Sequence, residues 1–310
     1  MYQNGWLAFE LNILRRLRFS SVAIPLSWEP YLGLYLKRWK IQVTANHTLQ
    51  SSLVKAQALI ENNSNVLSEE EVEVVLEDAY VPYYQLNNHA LRKWFGETDA
   101  WWFDNVRRNI EKLETNFSKS IAFYIAMQVG DYALSFSEET RHLRQPLSKV
   151  FKRLWVRHPA PVENEKRNFC QFKSPNDFIA EHKRDLDFVP DLMFLRLPPL
   201  RNVDIVKSLG WKAWREEWLR QADNFWHELE LSYNNKLTAK AETKSQYLKL
   251  IEDFLQTASH VEKWAISFVE DGITSTQELI ETIGRVRKVE TVYTKDFSEL
   301  TGKKAVIITA

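Results

Sequence analysis

Short apolar runs separated by segments of helical period constrain this chain most. Val22-Ala23-Ile24-Pro25-Leu26, Ile41 to Ala45, Asp191 to Leu195, Trp264 to Phe268, Val289 to Tyr293 and Ala305 to Ile308 each have the length of a buried strand. Between the first two runs, Leu32, Leu36 and Trp39 fall on one side of a helix predicted from Tyr31 to Arg38. Ahead of them, Leu7, Leu11, Leu14 and Leu17 keep helical spacing over residues 7–18, with Arg15, Arg16 and Arg18 off that stripe. Strands separated by helices predict an α/β fold, a Rossmann-like sheet with helices on both faces.

The middle of the chain reads differently. Helices are predicted over 49–61, 69–78, 99–114, 118–136 and 146–157, with Ser68 and Glu71 forming a capping box. The stretch Ile121 to Phe136 is apolar nearly all round, so its helix is expected to be buried. Residues 159–176 are polar and irregular, 203–230 are helical and Trp-rich, and a second capping box, Ser275 with Glu278, opens a helix to Ile283. The expected division is an α/β part over 1–79, an inserted helical subdomain over 80–176 and the rest of the α/β domain over 177–310.

Composition excludes several classes. Lys and Arg number 41 and Asp and Glu 41, which rules out a uniformly basic nucleic-acid coat and an acidic tail protein. The single Cys170 rules out a disulfide scaffold and a Cys-based zinc site, and fits a reducing cytoplasm. No His-x-x-x-His pair occurs, so no metal is expected. No apolar run approaches the ~20 residues of a membrane helix, and no membrane partner is expected. Met1 to Arg18 carries Glu10 and several arginines and does not read as a signal peptide.

Three stretches, in order, resemble the adenine-N6 DNA methyltransferases of the DNA adenine methylase class. Trp28-Glu29-Pro30-Tyr31-Leu32-Gly33, followed by Val43-Thr44-Ala45-Asn46, is similar to the family's "(D/E)PF-x-G-x-G" loop and its second strand ending in "ND". Asp191 to Leu200 resembles the strand that leads into the catalytic "DPPY". Lys263 to Phe268, Asp271-Gly272-Ile273, Glu278-Leu279-Ile280 and Val289 to Tyr293 resemble the family's C-terminal motifs. The resemblance implies a methyltransferase sheet with S-adenosylmethionine at the carboxyl ends of the first strands and an adenine flipped out of the duplex. The Asp of "DPPY" and nearby backbone carbonyls would hold its amino group. It also implies that the region between the second strand and the central motif takes part in target recognition.

The departures fall on the chemistry. Glu29, Pro30, Gly33 and Asn46 occupy the cofactor-binding positions, but bulky Tyr31, Leu32, Leu34 and Tyr35 stand where small residues would admit the cofactor. Asn46-His47 stands where "ND" is expected, so no carboxylate is available for the ribose. Leu197-Pro198-Pro199-Leu200 occupies the catalytic motif, with Leu197 for the Asp and Leu200 for the stacking Tyr. Leucine accepts no hydrogen bond, and losing such an acceptor costs about two to three powers of ten in rate. The expected function is a degenerate methyltransferase-like subunit that binds nucleic acid or scaffolds an active methyltransferase partner, in a restriction-modification or defence setting. No cofactor is then expected. The alternatives are an active divergent S-adenosylmethionine-dependent enzyme, with Asp204 or Asp191 as substitute acceptor, and a pure protein-interaction scaffold.

One charge cluster stands out. No acid lies between Glu139 and Glu163, a span that holds Arg141, Arg144, Lys149, Lys152, Arg153 and Arg157. On a 146–157 helix Lys149, Lys152 and Arg153 share a face, which suits phosphate contacts with DNA or a plain solvated surface. Arg15, Arg16, Arg18, Lys37, Arg38 and Lys40 are candidates to extend it. Trp211, Trp214, Trp218 and Phe225 follow helical spacing and are expected in a core or an interface. Arg196 is expected to face solvent or to pair with an acid.

Overall fold

The structure is a computed structural model that describes residues 5–82, 85–182, 189–270 and 272–310. In chain order the first elements are α1 (Trp6–Leu14), β1 (Ser21–Ile24), α2 (Tyr31–Arg38), β2 (Gln42–His47) and α3 (Gln50–Ala56). α4 (Glu69–Leu76), α5 (Glu97–Ile110), α6 (Asn116–Leu134) and α7 (Leu147–Val156) follow, then β3 (Phe169–Phe172), α8 (Pro175–His182) and β4 (Leu192–Arg196). The chain closes with α9 (Ile205–Leu209), α10 (Trp214–Arg220), α11 (Trp226–Ser232), α12 (Lys244–Thr257), β5 (Lys263–Glu270), α13 (Thr276–Gly284), β6 (Thr291–Asp296) and β7 (Lys304–Thr309). Both predicted capping boxes form, at the starts of α4 and α13, and α12 has a further one, Thr243 with Gln246.

The strands make one seven-stranded sheet in the order β3-β2-β1-β4-β5-β7-β6. β1 to β5 run parallel, and β7 lies antiparallel between β5 and β6. This is an α/β fold compatible with a Rossmann-like sheet: the order reverses direction at β1 and β4, which creates a switch point at their carboxyl ends. One sheet face, with Ala23, Met193, Leu195, Ile266 and Ile308, packs on Phe178 of α8, Ile251 and Phe254 of α12, and Leu279 and Ile283 of α13. The opposite face is covered by α2 over β2 and α1 over β7.

The chain forms two compact units, Met1–Thr48, Asn164–Ser208 and Glu228–Ala310 on one side, Leu49–Glu163 and Leu209–His227 on the other. The helical unit is therefore not the expected 80–176. It begins thirty residues earlier, because Val54, Leu59, Val72 and Val75 share a core with α5 and α6. It also recruits 209–227, because Trp214 and Trp218 are fully buried in that core. Its first segment ends at Glu163, before the expected 176: residues from Asn164 belong to the sheet unit, where the unforeseen strand β3 pairs with β2.

Candidate functional site

The switch-point crevice at the carboxyl ends of β1, β2 and β4 is where an open parallel sheet of this kind presents ligands. In this chain it is laced by internal hydrogen bonds. The Asn46 side chain donates to the carbonyls of Pro25 and Lys173, at 3.0 Å each, and accepts from the Lys173 amide at 3.0 Å. The amide of Ser27 donates to the Asn46 carbonyl at 3.0 Å, and His47 Nδ1 lies 2.6 Å from the Ser27 carbonyl oxygen. Asn46 thus ties together the loops that follow β1 and β3. Gly33 is not in a turn: it is the third residue of α2 and buried, with no left-handed backbone. Glu29 is half-buried and Pro30, buried, caps the start of α2.

Beyond β4, the Leu197 amide donates to the Ser267 carbonyl at 2.9 Å, which carries the β4–β5 pairing one residue past the strand. The Tyr247 hydroxyl donates to the Pro198 carbonyl at 2.6 Å. Pro198 is buried and Pro199 exposed. Leu197, Leu200 and Trp28 pack, half-buried, against the core cluster that includes Leu26, Leu195 and Tyr247.

Arg196 takes the second of its two expected states. It is buried and forms a two-pronged ion pair with Glu10 of α1, with Nε 2.8 Å from Oε1. Ser267 Oγ and Trp6 Nε1 donate to the same carboxylate at 3.0 Å each. The strand-end arginine therefore holds a helix on the sheet. Sequence reasoning missed Glu10. The one available signal was an acid inside an otherwise apolar helical stripe.

Asp191 does not reach the crevice, and Asp204 is held by a lysine. Asp191 precedes β4, at the amino end of the sheet, and accepts from the Ser20 amide and hydroxyl at 2.7 Å each and from the Ser21 amide at 3.1 Å. Burial pushes its pKa up, but these donors outweigh burial and leave it below the ordinary carboxylate value. Asp204 is exposed and lies 3.5 Å from Lys240 Nζ.

In the helical unit, the six expected phosphate ligands divide. Arg141 and Arg144 both pair with the buried Asp99 of α5, at 3.4 and 2.7 Å. They pin the loop before α7 onto the start of α5 and line an open depression of about 550 Å³ with Tyr80 and Gly96. Lys149, Lys152, Arg153 and Arg157 are exposed. α7 buries Leu147, Val150 and Phe151 on its other side, as its apolar period requires. His158 follows α7, and burial lowers its pKa to about 4, so it is neutral at physiological pH.

The remaining candidates resolve simply. Trp214 and Trp218 are core, while Trp211 is 45% exposed beneath Arg215. Lys37 is fully buried and adds nothing to a surface. Among the described residues, no group of three or more His, Cys, Asp or Glu is placed to hold a metal ion. No helix among them is long and apolar enough to cross a membrane. No protein-family model and no curated protein matches the sequence.

Proposed function

We propose that this chain is a methyltransferase-type protein with a closed reaction centre, retained as a nucleic-acid-binding subunit. The observation that carries the reading is the consumption of its polar groups at the crevice. The Asn46 amide, at one of the cofactor-binding positions that the resemblance implies, spends both donors and its acceptor on the chain's own loops. The Pro198 carbonyl, which would receive the adenine amino group, already accepts from Tyr247. Leu197 and Leu200 supply no acceptor and no stacking ring, and α2 offers no glycine turn for close approach of a donor. The residues present do not fit S-adenosylmethionine, and we derive no transfer step through it. Asp191, held at the amino end of the sheet, and Asp204, exposed and paired with Lys240, do not favour the active-enzyme alternative.

Binding then falls to the exposed cations of α7. Lys149, Lys152 and Arg153 project from one side of a helix whose other side buries Leu147, Val150 and Phe151, which is the arrangement that phosphate contacts need. The mostly parallel sheet, with its switch point at β1 and β4, is compatible with the same reading. An active methyltransferase in a restriction-modification or defence system is the natural partner for such a subunit.

Two measurements test the reading. Calorimetry with S-adenosylmethionine should show no binding; a micromolar dissociation constant would overturn the closed centre. Duplex DNA should bind with an affinity that falls steeply with salt, and reversing Lys149, Lys152 and Arg153 to Glu should flatten the log–log slope by about 0.9 per lost phosphate contact. No gel shift at any salt would leave the pure scaffold instead.

A further inference from the structure

The sheet unit has a second cationic face. Over residues 11–48 the sequence holds Arg15, Arg16, Arg18, Arg38 and Lys40, besides the buried Lys37, against one acid, Glu29, in a chain that is neutral overall. Arg15, Arg16, Arg18, Arg38 and Lys40 are exposed. Three of these guanidinium groups lie over aromatic rings: Arg15 over Trp39 at 4.9 Å, Arg16 over Tyr293 at 5.9 Å and Arg38 over Tyr35 at 5.5 Å.

The rings are as informative as the charges. α2 turns Leu32, Leu34 and Leu36 inward and leaves Tyr31, Tyr35 and Arg38 as its outer stripe, with Tyr31 44% and Tyr35 39% exposed. The two tyrosines are one helical turn apart, ~6 Å along the axis. Trp39 follows at the helix end, half-buried, and Arg15 of the neighbouring helix segment reaches across to it. Tyr293 comes from β6, on the sheet face that α1 covers, in register with Ile307 and so with Ser267.

Cations alone would suit any polyanion. Cations interleaved with exposed rings suit one whose flat faces are free to stack, which is a single strand and not a duplex. A protein partner would call for an apolar centre with a polar rim, whereas here charge and ring alternate along the surface. We propose that the α1–α2 face binds single-stranded nucleic acid, with bases stacked on Tyr31 and Tyr35 and phosphates on Arg15, Arg38 and Lys40. The proposal extends the nucleic-acid reading to the sheet unit and does not depend on α7.

The test uses the full chain carrying the α7 triple reversal, so that loss of duplex binding through α7 cannot be mistaken for loss at this face. Fluorescence anisotropy would be read with labelled oligo(dT), oligo(U) and a duplex of equal length, with heparin as a polyanion that has no bases. At least one of the two single strands should bind more tightly than the duplex, and the better one identifies DNA or RNA as the preferred strand. Tyr35→Ala should weaken strand binding by about fivefold or more and leave heparin binding unchanged. Arg15→Glu with Arg38→Glu should flatten the salt dependence by about 0.7 in slope per lost phosphate contact. No strand binding, a duplex bound as tightly as either strand, or a Tyr35→Ala effect absent or equal for strand and heparin would each overturn the proposal. All three positions are exposed, so circular dichroism of the variants should match the parent.

Discussion

Arg196 ends β4, and its guanidinium is locked onto the fully buried carboxylate of Glu10 in α1. The residue immediately before the degenerate motif thus serves to fasten a helix across the sheet. Two charges taken out of water are stable only when paired and hydrogen-bonded, and here Ser267 and Trp6 complete the set. The cluster makes the position of α1 over β4 and β5 specific in a way that leucine packing alone would not.

Removing one member should therefore cost more than removing both. Glu10→Ala leaves a buried guanidinium uncompensated and is expected to destabilise the protein by about 3–5 kcal/mol. Glu10→Leu combined with Arg196→Met should recover most of that loss. Urea unfolding of the single and double variants checks the order, and a double variant no more stable than Glu10→Ala would contradict this account of the pair.

Asp191 gives the sheet an acid-sensitive joint. Its carboxylate binds the start of β1 through Ser20 and Ser21, and its folded pKa is lowered because those donors overcome the upward push of burial. The stabilisation is complete above the unfolded value of about 3.9 and is lost as the pH falls through the folded one. Asp191→Asn should reduce stability at neutral pH and flatten its decline below about pH 4. Urea midpoints measured across that range decide it; parallel curves for the two proteins would remove Asp191 from the acid response.

Glu278 behaves in the same sense. Lys244, then the Ser275 amide and hydroxyl, hold its pKa down to about 2, joining the starts of α12 and α13. Its contribution is present above the unfolded pKa and fades only as the pH falls towards 2. Glu278→Gln is expected to lower the urea midpoint at pH 7, and the difference from the parent should vanish near pH 2.

The strands and their connecting helices were legible because period and length carry them: the six predicted strands occur, with ends displaced by a few residues. β3 was not, since Phe169 to Phe172 pairs only with β2 at the sheet edge and lacks a buried face to impose alternation. The crevice was half legible. Leu197 and Leu200 show in the sequence itself a departure from the motif it resembles, but the bonds across the crevice join residues far apart in the chain. Asn46 reaches Lys173, Tyr247 reaches Pro198 and Glu10 reaches Arg196, and no local pattern encodes such pairs. The unit boundary was misplaced for a similar reason, because Trp214 and Trp218 bury in a core built mostly by residues before 160.

Gly130 shows how tightly that helical core is fitted. A Cβ at this position in α6 would stand 2.2 Å from two ring atoms of Trp214. The indole is itself hemmed in by Phe95 and Phe103, at centroid distances of 5.3 and 5.4 Å, so it has no room to retreat. Gly130→Ala, which would gain about 1 kcal/mol in an exposed helix, should here cost about 1–3 kcal/mol by overpacking. Pairing it with Trp214→Phe should return part of the loss. A more stable Gly130→Ala protein would mean that the indole does not pack against α6 in this way.

Introducing the side chains of the methyltransferases that the sequence resembles should not create an active protein. Leu197→Asp with Leu200→Tyr would supply the missing acceptor and ring, yet Asn46 would still be tied to Pro25 and Lys173, and the Pro198 carbonyl to Tyr247. The new carboxyl would also face the apolar cluster on which Leu197 now packs, which favours its neutral form. The expected result is a protein less stable by about 1–3 kcal/mol that transfers no labelled methyl group to adenine-containing DNA. Incorporation above background would mean that only two side chains separate this crevice from a working site, and that its internal hydrogen bonds yield to a donor.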